Sequence, residues 1–138
     1  MNVSQLARHA GTTADTVRHY TEIGLLKPRR NPTNGYREYS HADLSRLSFS
    51  LQARALGFTL QDISTLTAES EAGQSPCQHT RALIEHRLAE VEARISELTQ
   101  LGARMRSAMD QWATRPDCEP DHEVVCGLIQ SWEQGDHG

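Results

Sequence analysis

A chain of 138 residues, 37% hydrophobic, 5% aromatic and 23% charged, has room for one small domain plus an extended element. Its core is thin unless a partner covers part of it, and a large private catalytic cleft is excluded. The net charge of −4 is unevenly placed: residues 1–60 hold eight Lys/Arg against four Asp/Glu (+4), and residues 61–138 hold six against fourteen (−8). Only the front half therefore suits phosphate, and the acidic half reads as solvated helix surface. No apolar run approaches the roughly 20 residues of a membrane span, and the opening MNVSQLARHA lacks the apolar stretch of a secretory signal. The expectation is a cytoplasmic chain without membrane contact, whose Cys77, Cys118 and Cys126 are thiols available to metal.

In chain order, Val3, Leu6 and Ala7 recur at helical spacing, Gly11 breaks the pattern, and Thr13 to Ile23 resume it, which is helix-turn-helix grammar. Thr12 or Thr13 is placed to cap the second helix, Asp15 or Thr16 lies in its first turn, and Gly24 supplies a left-handed stop. The stretch LLKPRRNPTNGYREY, with an Asn34-Gly35 turn signal and Tyr36 and Tyr39, predicts a small β-hairpin, or wing. A helix from His41 follows, with Leu44, Leu47, Leu51 and Ala55 on one side, then Gly57 and a short helix near Thr59 to Leu66. Residues 1–70 are thus expected to form one basic domain.

The polar stretch AESEAGQSP breaks the rhythm, and residues 71–76 are assigned to a linker. Ser75 as cap, Pro76 in the first position and Gln78 reaching back read as a helix start. Ile84, Leu88, Val91, Ile95, Leu98, Gly102, Met105, Met109 and Trp112 then alternate in steps of four and three, a coiled-coil seam on a helix over 77–114. Such a helix exceeds ~25 residues and needs a partner, which makes a homodimer the expectation; the alternative is an intramolecular helix lying on the N-terminal domain. Gly102 would let two helices approach closely or admit a neighbouring bulky side chain. Residues 115–138 are expected to form a metal-binding loop and a short C-terminal helix.

Thr16, Arg18, His19 and Tyr20 lie on the second helix, where a helix-turn-helix presents side chains to the major groove and flanking phosphates. Asn34, Tyr36 and Arg37 in the wing, and Arg54 on the following helix, add candidate backbone contacts. The ordered string TVRHYTEIGLLKPRRNPTNGYREYSHADLSRL, followed by QARALGFTLQDI, resembles the MerR family of bacterial regulators across nearly the whole N-terminal half. That resemblance implies a mainly α fold: a winged helix-turn-helix, a long antiparallel coiled-coil dimerisation helix and a C-terminal effector loop. It also implies double-stranded promoter DNA as partner, with RNA polymerase engaged indirectly at the promoter. The family's arginine-tyrosine-tyrosine-glutamate run stands here as Arg18, His19, Tyr20, Thr21, so two positions depart from it. His19 bears on operator preference and Thr21 on a local ion pair.

Cys77 falls in the first turn of the long helix, where unpaired backbone N–H groups favour a thiolate; the bland reading is a small buried residue. In DCEPDHEVVC, Cys118, His122 and Cys126 are spaced by four and four and bracketed by Pro116, Pro120 and Gly127, a loop able to close around an ion or simply to pack. From Cys77 to Trp112 is 35 residues, about 52 Å of helix. If the twin helix runs antiparallel, Cys77 of one chain meets the loop of the other and two equivalent inter-subunit sites result.

The arrangement resembles the branch of the family that senses Zn(II), Cd(II), Pb(II) or Hg(II). Three thiolates plus the His122 imidazole suit tetrahedral zinc, and three thiolates alone suit softer ions. The seven residues between Cys118 and Cys126 also resemble copper(I) sensors. His79, Asp121 and His137 are further candidate ligands, read as bystanders. Leu128, Ile129 and Trp132 recur at helical spacing and read as a short docking helix or as a loosely held turn.

The resemblance implies that metal binding underwinds a promoter and raises transcription of a metal-export or detoxification gene. A thiol-based sensor of oxidants or aldehydes is the rival within regulation. A small zinc hydrolase is the rival outside it, opposed by a third cysteine that closes the coordination sphere and by the lack of a positioned general base. No enzyme is expected.

Overall fold

A computed structural model describes residues 1–133 of the chain. The protein is mainly helical and divides into two compact units, Met1–Leu88 and a second beginning at Ala89. The first unit opens with α1 (Val3–Ala10), capped by Asn2 and Gln5 in a reciprocal box and stopped by Gly11 at φ +72°. Helix α2 (Ala14–Glu22) starts where the Thr13 hydroxyl accepts from the Thr16 N–H, and Gly24 turns the chain away at φ +84°. Of the two candidate caps, Thr13 is therefore the one used.

The wing is a two-stranded antiparallel sheet, β1 (Arg29–Arg30) and β2 (Arg37–Glu38), in register Arg29↔Glu38 and Arg30↔Arg37. The Asn34 side chain accepts from the Tyr36 N–H and Gly35 takes φ +72°, so the predicted turn forms where its chemistry demands a left-handed residue. The Tyr39 N–H donates to the Met1 carbonyl at 2.7 Å, and the Met1 amine donates to the Tyr39 carbonyl at 2.9 Å, fastening the end of the wing to the chain start.

Helices α3 (His41–Ala55) and α4 (Leu60–Glu71) each begin with a reciprocal capping box, Ser40 with Asp43 and Thr59 with Asp62. Helix α4 runs five residues beyond the expected Leu66, because nothing interrupts it before Gly73 turns left-handed at φ +79°. On α3, Leu47 and Ala53 are buried whereas Ala55 is exposed, which moves the last core position two residues back. Leu6, Val17, Leu26, Leu47, Ile63 and Leu66 are fully buried, and each such side chain contributes about 1.5–3 kcal/mol.

Helix α5 (Cys77–Trp112) adds to that core: Leu83 and Ile84 pack against it, and Arg87 reaches back to Asp62 of α4 with two bonds of 2.9 and 3.0 Å. The paired guanidinium holds the Asp62 carboxyl down at about 2, against an ordinary 3.8. The first three turns of α5 thus belong to the first unit. Ser75 accepts from the Cys77 N–H at 3.4 Å as a start signal should, but Gln78 returns no bond; Thr80 instead donates through both backbone and hydroxyl to the Pro76 carbonyl.

In the second unit, Val91, Ile95, Leu98, Met105 and Met109 stand along α5 with half or more of their surface open. These five are among the positions expected along the seam. At the C-terminal end of α5 the Trp112 indole N–H donates to the Leu128 carbonyl at 2.9 Å, and Gln111 bonds Glu133 through both its amide groups. These tie down α6 (Gly127–Gln130), a single turn, and the loop that precedes it.

Candidate nucleic-acid interface and metal centre

Helix α2 presents Arg18 and His19 to solvent while Val17 and Tyr20 go inward, as a period of 3.6 requires. Asp15, in the first turn, holds the Arg18 guanidinium at 2.8 Å, an exposed pair that orients the side chain and adds little stability. Across from it, Arg30 donates to the Gly35 carbonyl at 3.1 Å within the wing turn. Arg18, Arg30, Tyr36 and Arg37 line one groove of about 620 Å³ with Asn2 and Ser4, so three guanidiniums and a phenol share a single concavity. Such a cluster of cations is chemically suited to an anionic backbone. Asn34 lies beside it with its side chain engaged in the turn.

A second groove, about 380 Å³, is lined by Asp15, Thr16, His19, Tyr20, Arg54 and Leu60. Arg54 is steadied by donating to the Phe58 carbonyl at 2.9 Å. Tyr20 is 6% exposed and packs in the core while also lining this second groove. Thr21 answers the question of the missing ion pair: its hydroxyl lies 2.7 Å from the Tyr39 hydroxyl and donates to the Val17 carbonyl at 2.7 Å, joining α2 to the end of the wing without charge.

All three cysteines are free thiols. Cys77 opens α5 in the first unit and is exposed; Cys118 and Cys126 belong to the second unit. The Cys118 sulfur rests against Gly127, the residue after Cys126, so closely that a Cβ on Gly127 would lie 2.5 Å from it. The fold therefore brings Cys118 to the Cys126 end of the loop. His122 is exposed between them, and among the described residues of one chain no three His, Cys, Asp or Glu side chains converge to hold an ion.

Two bystander candidates have other work: Asp121 accepts from the Glu123 and Val124 N–H groups at 2.8 and 2.9 Å, and the His79 imidazole is paired with Glu69. His137 lies outside the described residues. Three thiols and an imidazole are a donor set whose chemistry suits a thiophilic, tetrahedral ion.

Residues 1–70 match the profile of the MerR HTH family regulatory proteins, and residues 44–108 match the MerR DNA-binding profile. The chain belongs to the MerR family. Among its relatives is the HTH-type transcriptional regulator ZntR of Escherichia coli (strain K12), 33% identical over 138 residues and covering 99% of this chain and 94% of that one. A probable heavy metal-dependent transcriptional regulator of Haemophilus influenzae is 30% identical over 120 residues, with 86% and 94% covered. Among solved structures, the transcription regulator PbrR691 from Ralstonia metallidurans CH34 in complex with lead(II) superposes with a TM-score of 0.73 at 26% identity, covering 95% of this chain and 98% of that one.

These MerR relatives are regulators and not enzymes, and no helix among the described residues is long and apolar enough to cross a membrane. Sequence reasoning about the MerR interface omitted Arg30, although it sits in the same basic run as Arg29, because only strand pairing turns it toward Arg18. At the loop it omitted Gln130 and treated Gly127 as a bracket; their importance lies in contacts that spacing does not encode.

Proposed function

We propose that this chain is a metal-responsive transcriptional regulator that binds promoter DNA as a homodimer and activates metal-export or detoxification genes. Zn(II), or a related soft ion among Cd(II), Pb(II) and Hg(II), is the inducer. The observation that carries the reading is the Cys118 thiol seated over Gly127 next to Cys126, in a loop anchored to a helix whose apolar seam is uncovered. A partner's helix would cover that seam. In an antiparallel pair, Cys77 of one protomer completes the ligand set with Cys118, His122 and Cys126 of the other. The heavy metal-dependent and lead-bound relatives support the same chemistry.

On the DNA side, Arg18, Arg30, Tyr36 and Arg37 grip phosphate, Asn34 fixes the wing turn, and Thr16, His19 and Arg54 line the adjoining groove over α2. The ion would be held by deprotonated thiols, so each cysteine releases its proton as the ion enters. Ligands from two chains couple occupancy to the geometry of the pair, and through it to the deformation imposed on the promoter.

The test is metal analysis of protein purified under reducing conditions, with Cys77→Ser alongside, and in vitro transcription with each ion. Wild-type protein is expected to carry zinc or to take up cadmium, and Cys77→Ser to lose both metal and induction. Metal-free wild-type protein that still responds to oxidants or aldehydes would overturn the reading in favour of a thiol sensor, and a response confined to copper(I) would reassign the ion.

A further inference from the structure

The loop that carries Cys118 and Cys126 is held by side chains of its own. Four consecutive backbone N–H groups, from Glu123 to Cys126, are all taken by two side chains: Asp121 accepts the first two, and the Gln130 amide oxygen accepts Val125 N–H at 2.6 Å and Cys126 N–H at 3.0 Å. The Gln130 amide nitrogen meanwhile donates to the Glu123 carbonyl at 3.0 Å, so one side chain binds the loop at three points and fixes the backbone of Cys126. Gly127 closes the arrangement from the other side. A side chain there would meet the Cys118 sulfur at 2.5 Å and its Cβ at 2.9 Å, so only glycine leaves Cys118 where it sits.

We infer that Gln130 and Gly127 are positioning residues of the metal centre, preorganising the Cys118 and Cys126 thiols beside each other before an ion arrives. This rests on the metal-centre reading given above. The physical ground is that an unheld loop must lose backbone freedom on closing around an ion, whereas a loop already fixed by internal bonds has lost it on folding. Glutamine is the side chain that serves here, because the loop presents two donors and one acceptor to the same group. Glutamate keeps the two acceptor bonds and forfeits the donated one; alanine forfeits all three. Partners that orient a metal's ligands typically affect affinity by about 10–100-fold.

The experiment is a Cd(II) titration against a competing chelator, with the full-length protein, for the wild type, Gln130→Ala, Gln130→Glu and Gly127→Ala. Thiolate-to-cadmium charge-transfer absorption is read at saturation, and exchange of the Val125 and Cys126 amides is read in the metal-free protein. Gln130→Ala is expected to weaken cadmium binding about 10–100-fold, to speed exchange of both amides and to leave the saturated absorption intact, since its thiols are still present. Gln130→Glu is expected to fall between, with slow exchange restored. Gly127→Ala is expected to lose affinity and part of the saturated absorption as the Cys118 thiolate is displaced.

Affinities of Gln130→Ala and Gly127→Ala within twofold of a wild type that binds cadmium normally would overturn the positioning role and leave the metal centre standing. A wild type without charge-transfer absorption would overturn both. Promoter binding by the metal-free variants, which retain the Arg18 groove, reports that they are folded.

Discussion

Arg18 stands on the exposed side of α2 tethered by Asp15, and it shares its groove with Arg30 and Arg37. Replacing it with alanine would remove one proposed phosphate contact without disturbing the core. Titration with promoter duplex is expected to show affinity reduced by about 1–3 kcal/mol and a salt slope about one unit shallower. Arg30→Ala is expected to behave the same way, which tests a contact that strand pairing reveals and sequence spacing does not. Thr21→Val is expected to loosen the wing end and lower stability by about 1 kcal/mol in urea unfolding, because the buried Tyr39 hydroxyl loses its partner. Residue identity alone announced which side chains carry charge or sulfur. It did not announce direction: Tyr20, counted with its neighbours on α2, packs largely into the core, whereas Arg18 and His19 face solvent.

At the scale of elements, the local signals were read well because they are local. The Thr13 cap and the Asn34-Gly35 turn each act within three residues of themselves. What escaped were bonds between elements distant in the chain, above all Asp62 on α4 with Arg87 on α5. That pair fastens the beginning of the long helix to the first unit. Asp62 is depressed to about 2 in the fold against 3.8 unperturbed, so its contribution, about 2 kcal/mol, is present in full above pH 5. It fades as acid protonates the unfolded chain's carboxyl first and is lost as pH falls through about 2. Urea unfolding of wild type and Arg87→Met is therefore expected to differ by about 2 kcal/mol at pH 7 and by roughly half that at pH 3. An undiminished gap at pH 3 would show that Arg87 stabilises by packing instead.

At the scale of the whole molecule, periodicity made the long helix and its exposed apolar stripe readable. The repeat is legible because Val91, Ile95, Leu98, Met105 and Met109 recur along one line of the helix, whereas ligands in the proposed metal site would come from two chains. Val91→Glu with Ile95→Glu is expected to convert a dimer to monomer in sedimentation experiments, because each places a charge among side chains that a partner would cover. In the proposed assembly the same double change abolishes metal uptake although no ligand is touched. Retention of metal by a monomeric variant would count against sites shared between subunits.

The two tryptophans of the sequence, Trp112 and Trp132, both fall in the second unit, and Trp112 is bonded to the very turn that follows Cys126. The DNA-binding half contains tyrosine but no indole. The chain's intrinsic red-edge emission is consequently a gauge of its effector end alone. Quenching or a wavelength shift on adding an ion would come from that end, and the same spectrum would stay unmoved by any event confined to the wing.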